Sequence, residues 1–411
     1  MKFHWFHLMP YPELPADFSE KHHSSAVDVP SHLFDPAVGH RAYNDYLDEL
    51  EYAAEVGFDG ICVNEHHQQA YGMMPSPNIM AAALARRTSR DTGLIVLGNS
   101  IALYNPPTRV AEEFAMLDVI SGGRLIAGLP VGTAMDTVYA YGETPISLRE
   151  KYREAHDLIM RAWTEPEPFA FNGKYTQLRY VNTWPRPLQK PHPPIWVPGG
   201  GSIETLEWIT QNDYLMANLS YGGYLAAKSA MDSYWKLVHE MGRDPNPYRA
   251  GFLQLIGVSE TDEQAEEDYA GAADYFYKKC LHIDRGFADV SGYRSMRSLE
   301  ISVRANRPSS SSMFSGKQSW QDYLRQGNII AGSPERVIEQ VRELAKSLRI
   351  GHLMMLLQFG NMSKELTMKN TRLFAEKVMP ELRDLWDDEW EDRWWMRALA
   401  AEQTAVPAAV S

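Results

Sequence analysis

The run Val63-Asn64-Glu65-His66-His67 closes a short β-rich stretch, and a histidine there could take or hold a proton near neutral pH. Successive side chains at a strand end point to opposite sides, so at most one of His66 and His67 faces the mouth that the strand opens onto. A metal would need ligands from other strand ends, and those read Leu129-Pro130-Val131-Gly132, Ala217-Asn218-Leu219-Ser220 and Gln358-Phe359-Gly360. No metal centre is expected. A general base, or a partner for an anionic intermediate, suits the imidazole better. On these residues alone, a capping or exposed histidine is the more ordinary explanation.

A second cluster begins where Pro194 to Val197 ends, at Pro198-Gly199-Gly200-Gly201-Ser202, with Thr205 one turn further on. Glycines let the backbone approach a bound group, amides at a helix start point toward it, and Ser202 and Thr205 add hydroxyls. The pattern suits a phosphate cradle, and equally a tight β-to-α turn with an ordinary cap. No Walker-type lysine spacing accompanies it, so nucleoside triphosphate hydrolysis is not expected. In the third β-rich run, Leu97-Gly98-Asn99-Ser100 places a glycine inside a strand, which marks a bulge or a ligand's close approach.

These clusters need elements to hold them. Strands are expected over Lys2 to Met9, Phe58 to Asn64, Leu94 to Leu103, Arg124 to Leu129, Pro194 to Val197, Tyr214 to Leu219, Gly251 to Val258 and His352 to Phe359. Amphipathic helices fall between them, with Ser202 and Ser333-Pro334-Glu335 as starts and Gly57 and Gly242 as stops. Eight strands, each followed by a helix, point to an α/β protein of the (β/α)₈ barrel type, whose active site lies at the strand C-termini. A dinucleotide-binding Gly-x-Gly-x-x-Gly turn is missing, since Gly199 to Glu204 fails at its last position. Residues 1–380 are read as one barrel domain. Residues 281–330 form an insertion after the seventh strand, polar enough around Arg304 to Ser312 to act as a mobile lid. In the 381–411 tail, Trp386, Trp390 and Trp394 recur every fourth residue, which predicts a helical stripe docking on the barrel or on a partner.

Composition excludes several functions. The chain has 411 residues with 40 basic against 53 acidic side chains, a net charge of −13, which disfavours a nucleic-acid binder. No run approaches the ~18 uninterrupted apolar residues of a membrane helix. The first ten residues are too short and too soon broken by Pro10 for a secretory leader, and only two cysteines occur, so a cytoplasmic setting is expected.

Taken together, Glu65-His66-His67, the Pro107-x-Arg109-x-Ala111-Glu112-Glu113 run, Leu117-Asp118-x-x-Ser121-Gly122-Gly123-Arg124, Tyr152-Arg153, the glycine cradle with Glu207-Trp208, and Gly332-Ser333-Pro334-Glu335 resemble bacterial luciferase-like, flavin-dependent monooxygenases. The resemblance spans about residues 1 to 380. It implies a barrel that binds reduced FMN supplied by a separate flavin reductase, activates O2 as a C4a-peroxyflavin, and oxygenates a small, largely apolar substrate. By position, His66 resembles the family's active-site histidine. Gly200, Gly201, Ser202 and Thr205 resemble its phosphate contacts. Gly98 and Asn99 would lie beside the isoalloxazine, where the family often has a non-proline cis peptide, and Tyr152 resembles a phosphate-side hydroxyl. Val131 stands where the luciferase subunit places an arginine against the phosphate, which leaves the cradle without that charge. Trp5, Met9, Tyr71, Met73, Met74, Trp184 and Phe359 are candidates for an apolar substrate pocket. The resemblance also implies a homodimer, through helices carrying Ala81, Ala82, Ala83, Ala85, Ala111 and Ala115. Two alternatives share the barrel: a deazaflavin-dependent oxidoreductase and a non-catalytic flavin-binding protein.

Overall fold

Gly60-Ile61-Cys62-Val63 and Leu125-Ile126-Ala127-Gly128 are apolar without alternation, as strands covered on both faces must be, and all eight residues are buried. A computed structural model of the chain, which describes residues 1–199, 202–304, 318–387 and 389–399, shows what covers them. The strands are β1 (Lys2–Phe6), β2 (Gly60–Val63), β3 (Gly93–Val96), β4 (Leu125–Gly128), β5 (Phe169–Asn172), β6 (Gln177–Val181), β7 (Ile195–Gly199), β8 (Leu215–Asn218), β9 (Ala250–Val258), β10 (Ile329–Gly332) and β11 (His352–Leu356). Parallel pairing runs β9-β11-β1-β2-β3-β4-β7-β8 and closes from β8 back to β9, giving an eight-stranded (β/α)₈ barrel. Each barrel strand falls within or beside an expected one, but the third ends at Val96, so Gly98 lies beyond the strand and Ile101–Leu103 form a 3-10 turn where strand was expected.

Two strand features lie outside that expectation. β9 is nine residues long, yet β8 pairs only with Ala250, Gly251 and Phe252. The remaining edge is covered by β10, in register from Ile329 opposite Leu255 to Gly332 opposite Val258. The antiparallel hairpin β5–β6 interrupts the fourth unit. The Glu154 carboxylate holds its turn by accepting the backbone N–H groups of Lys174, Tyr175 and Thr176.

The Leu117 to Arg124 motif proves to be scaffold. Gly122 and Gly123 both take positive φ, 75° and 87°, to turn the chain from the Thr108–Ser121 helix into β4. Arg124 is buried and donates to the carbonyls of Ala85, Ser89, Thr92 and Ser121, tying the floor of β3 to that of β4.

The insertion carries elements that the sequence did not place, and the tail corrects the expectation of a helix. Within 281–330 the chain forms helices Arg285–Ala288, Met296–Arg304 and Trp320–Arg325 and then enters β10. Its first half docks over the barrel mouth: Tyr293 donates to the Gly132 carbonyl, Ser295 and Ser298 donate to Glu204, and Arg297 pairs with Glu207. Residues 305–317, most of the polar run behind the lid reading, lie outside the described residues. Among its described residues, 382–387 and 389–399, the tail forms no helix. Leu382 to Asp387 are turns, and Trp386 takes φ 81°. Three indole N–H groups find three separate carbonyls, which a regular helix could not supply: Trp386 to Ile350, Trp394 to Asp213, and Trp196 to Trp394 itself. The tail therefore plugs the barrel floor, where Trp395 stacks on His4 at 5.1 Å.

That plug has a pH consequence. His4 is fully buried beside His352, their rings joined at 3.0 Å. Burial, followed by the neighbouring His352 and Lys2, holds its pKa well below that of a free imidazole. The unfolded chain binds a proton at His4 below about pH 6.5 and the folded chain does not, so stability present above that pH is lost progressively as pH falls. The unfolding midpoint should decline from pH 7 toward pH 5, less steeply in His4→Asn. A midpoint equally pH-dependent in both proteins would contradict this.

Candidate active site

The mouth of the barrel is formed by the residues that follow each strand, and those after β2 and β4 meet. After β4 the chain makes a π-helical turn, Met135–Ala140, that carries Asp136 inward. Asp136 is 2 % exposed, and its carboxylate faces the loop after β2. One oxygen accepts from the His67 amide at 2.8 Å and the Gln69 side chain at 2.7 Å. The other lies 3.1 Å from His66 Nδ1 and 2.7 Å from the Thr133 hydroxyl. Burial pushes the Asp136 pKa up, but the His66 ring, the His67 amide and Thr133 outweigh it, so the group stays below the usual carboxylate range. It is an anion with its acceptor capacity filled.

An anionic carboxylate can only accept, so Nδ1 of His66 carries a proton, and in the neutral ring Nε2 is the nitrogen with the lone pair. Of the two adjacent histidines, His66 thus has the orienting partner. His67 turns away, 3.0 Å from Glu65, and packs edge-on against Tyr141. Glu65 links the neighbouring strand ends by accepting from the Ser100 amide at 2.6 Å and the Tyr104 hydroxyl at 2.8 Å.

At the end of β3 the Leu97–Gly98 peptide is cis. A Cβ on Gly98 would lie 2.1 Å from the Gly128 carbonyl oxygen, so glycine is required there by the contact between β3 and β4. Asn99 is fully buried, accepting from Asn78 at 2.9 Å and donating to Tyr104 at 3.1 Å. Both its side-chain atoms are engaged within the protein.

At the end of β7, Gly199 leaves open space where a Cβ would stand, and the helix Ile203–Asn212 begins with Ser202 as its cap residue. Ser202 and Thr205 pair their hydroxyls at 2.9 Å. Gly200 and Gly201 lie outside the described residues. Tyr152 is buried and donates its proton to the Leu129 carbonyl at 2.7 Å, so it fastens its helix to the end of β4 instead of offering that proton to a phosphate. One turn earlier on the same helix, Leu148–Thr164, Arg149 sends a guanidinium nitrogen to Thr205 at 2.9 Å, and its buried Nε has no partner. Arg149 thus brings to this helix start a guanidinium, where Val131 offers no charge. An orphaned guanidinium N–H, two hydroxyls and a helix start fit the phosphate of a flavin mononucleotide.

Beside the dyad lies an apolar cavity of about 370 Å³, lined by residues that include Tyr11, Leu14, Leu33, Phe34 and Met73. Gln69 lines it too, so one side chain joins cavity wall and Asp136. Met73 is the pocket candidate placed here. Trp184 is 80 % exposed beyond β6, and Trp5 is buried with its indole donating to Thr371. Among the described residues, no group of three or more His, Cys, Asp or Glu could hold a metal.

Sequence reasoning missed Asp136, Arg149 and Tyr221. Only Asp136 had a local signal, since Thr133-x-x-Asp136 matches a capping pattern, and Asp136 does accept from Thr133. Arg149 reaches the site through tertiary packing, as does Tyr221, whose hydroxyl lies 3.3 Å from that of Tyr71.

A family model for luciferase-like monooxygenases matches residues 18–349. The 4-hydroxyprotoasukamycin monooxygenase of Streptomyces nodosus subsp. asukaensis is 24% identical, over 88% of this chain and 92% of its own. The F420-dependent glucose-6-phosphate dehydrogenase of Kineococcus radiotolerans is 34% identical over a shorter stretch, 36% of this chain and 44% of its own. The fold of the oxygenating constituent of 3,6-diketocamphane monooxygenase from Pseudomonas putida, solved with FMN, superposes with a TM-score of 0.68 at 17% identity, covering 93% of this chain and 98% of that one. Because that family model matches most of the chain, the chain belongs to the luciferase-like monooxygenases, a family that includes both flavin-dependent monooxygenases and F420-dependent enzymes.

Proposed function

We propose that this chain is the oxygenase component of a two-component system, taking reduced FMN from a separate flavin reductase and using O2 to oxygenate a small, largely apolar substrate. The observation that carries the reading is the buried Asp136–His66 pair with an apolar cavity on its flank. Such a pair takes a proton at His66 Nε2 and stabilises the resulting imidazolium next to a fixed anion. Reduced FMN, when bound, supplies the electrons that activate oxygen. Arg149, Ser202 and Thr205 would hold its phosphate at the start of the Ile203–Asn212 helix. Gln69 keeps Asp136 oriented and closes the wall between dyad and cavity. The docked Tyr293–Ser298 segment shields the mouth above β4 and β7 from water, which favours oxygen transfer over loss of peroxide.

No dinucleotide turn occurs in the sequence, so hydride must arrive on the flavin. The chain with NADH in air should consume no oxygen until a flavin reductase or photoreduced FMN is added. Oxygen uptake driven by NADH and the chain alone would overturn the reading. A deazaflavin reading is favoured by one observation, the F420-dependent relative, and is separated by supplying reduced F420 under argon. The oriented dyad argues against a purely flavin-binding role.

The same proposal includes a homodimer. Helices Pro77–Arg87 and Thr108–Ser121 pack side by side and leave Ile79, Met116, Val119 and Ile120 between 43% and 66% exposed. Ala81, Ala85, Ala111 and Ala115 are buried within the chain and cannot meet a partner, so the exposed apolar residues of these two helices are what suits an isologous interface. Light scattering at micromolar concentration should give twice the 46.7 kDa chain mass, and a monomeric mass would refute the dimer. No helix of the described residues is long and apolar enough to cross a membrane. Cys62 and Cys280 are free and buried, in keeping with the cytoplasmic setting we propose.

A further inference from the structure

His66 does not present a bare nitrogen to the barrel mouth. Its Nε2 lies 2.8 Å from the Tyr71 hydroxyl, and Tyr71 in turn lies 3.3 Å from the Tyr221 hydroxyl. Tyr71 belongs to the loop after β2, and Tyr221 to the loop after β8, on the opposite arc of the barrel. Tyr71 is 5 % exposed, whereas Tyr221 is only partly buried and forms the outer end of the series. We infer that Tyr71 and Tyr221 form a two-hydroxyl relay that moves a proton between the ligand space at the mouth and His66 Nε2.

The direction of each bond follows from elimination. Asp136 accepts from the His66 ring, the His67 amide, Gln69 and Thr133, which fixes the His66 proton on Nδ1. In the neutral ring Nε2 has only a lone pair, so there the Tyr71 hydroxyl donates to it. The Tyr71 oxygen is left as an acceptor, and the Tyr221 hydroxyl is the donor that reaches it. Each hydroxyl proton then has one acceptor, and the series ends at the Tyr221 oxygen with acceptor capacity to spare. Burial raises the pKa of Tyr71 well above that of a free phenol and pushes Tyr221 up to about 12, so both remain neutral O–H groups at neutral pH.

A proton accepted at the Tyr221 oxygen releases that residue's own proton to the Tyr71 oxygen, and the Tyr71 proton passes to His66 Nε2. One O–H bond forms and one breaks at each tyrosine. The single positive charge comes to rest on the imidazole beside the Asp136 carboxylate. Run backward, the series delivers a proton outward and restores neutral His66. Tyr221 is itself positioned, because its backbone carbonyl accepts from Tyr277 at 3.0 Å and from Asn328 at 3.3 Å. Its ring stands edge-on to Phe276 at 5.5 Å. The 3.3 Å span between the hydroxyls can tighten when a ligand closes the mouth.

The inference rests on the proposed chemistry for its proton demand, but the wiring can be read without any cofactor. In the full chain labelled with ring-¹⁵N histidine, His66, assigned by its loss in His66→Gln, should show a protonated Nδ1 and a hydrogen-bonded Nε2. Tyr71→Phe should shift Nε2 toward a free pyridine-type nitrogen and leave the tautomer unchanged, while Asp136→Asn should move the proton to Nε2. An Nε2 resonance unmoved by Tyr71→Phe would overturn the relay, whatever the reaction proves to be. With reduced FMN and a turned-over substrate, Tyr71→Phe and Tyr221→Phe should each lower kcat roughly 10²-fold with KM little changed. The double variant should be no worse than either single one, since a series broken once is already broken. Losses that multiply would mean two separate structural effects and would refute the relay.

Discussion

Replacing His66 with alanine should lower turnover about 10²-fold or more while flavin affinity stays within a few-fold. The size follows from losing a positioned acid–base group, and the selectivity follows from place. His66 sits after β2, whereas the phosphate-side residues Arg149, Ser202 and Thr205 gather at the end of β7. Asp136→Asn should cost a comparable factor, because an amide can donate to Nδ1 and so favours the wrong tautomer. His67→Ala is the control. Its ring is held by Glu65 and Tyr141 and does not touch Asp136, although its backbone amide does. Steady-state turnover with photoreduced FMN, beside an anaerobic flavin titration of each variant, checks all three. A damaging His67→Ala with a silent His66→Ala would reverse the assignment.

Arg149→Ala should raise the Kd for FMN about 10- to 100-fold, the equivalent of one charge-assisted hydrogen bond to an anion at about 1.5–3 kcal/mol. The affinity for riboflavin, which lacks the phosphate, should change by less than a few-fold. That contrast separates loss of a phosphate contact from general damage to the mouth. Arg149→Lys should recover only part of the loss, since an ammonium cannot serve Thr205 and an anion with the same planar fork. Fluorescence titration with both flavins gives the answer. Equal losses for FMN and riboflavin would show that Arg149 does not meet the phosphate.

Legibility from sequence divides along physical lines. Buried parallel strands have to be short apolar runs, so all eight barrel strands could be placed from Lys2 to His352 before any coordinates. Helices with strong caps were equally plain, and Pro334–Leu348 begins and ends where its Ser333-Pro334 start and apolar spacing put it. The hairpin β5–β6 escaped because Phe169–Asn172 is four residues long and half exposed, with its stability coming from Glu154 on a preceding helix. The tail misled because a four-residue repeat of tryptophan also arises in a run of turns, where the indoles of Trp386 and Trp394 reach carbonyls on different elements. In the site, His66 was visible from its strand end. Arg149 was not, because nothing local relates it to Thr205, 56 positions away in the chain. Tyr71 stood among the apolar pocket candidates, but its value lies in a hydroxyl poised between His66 and Tyr221, a relation that only the closed barrel creates.

The most direct test of the oxygenase assignment is isotopic. The chain, photoreduced FMN and a library of small apolar metabolites would be incubated under ¹⁸O₂, with a parallel incubation under argon containing reduced F420, and the products read by mass spectrometry. The account predicts a product that gains one ¹⁸O atom, depends on reduced FMN and is lost in His66→Ala. A product formed under argon with F420, carrying no new oxygen, would contradict it.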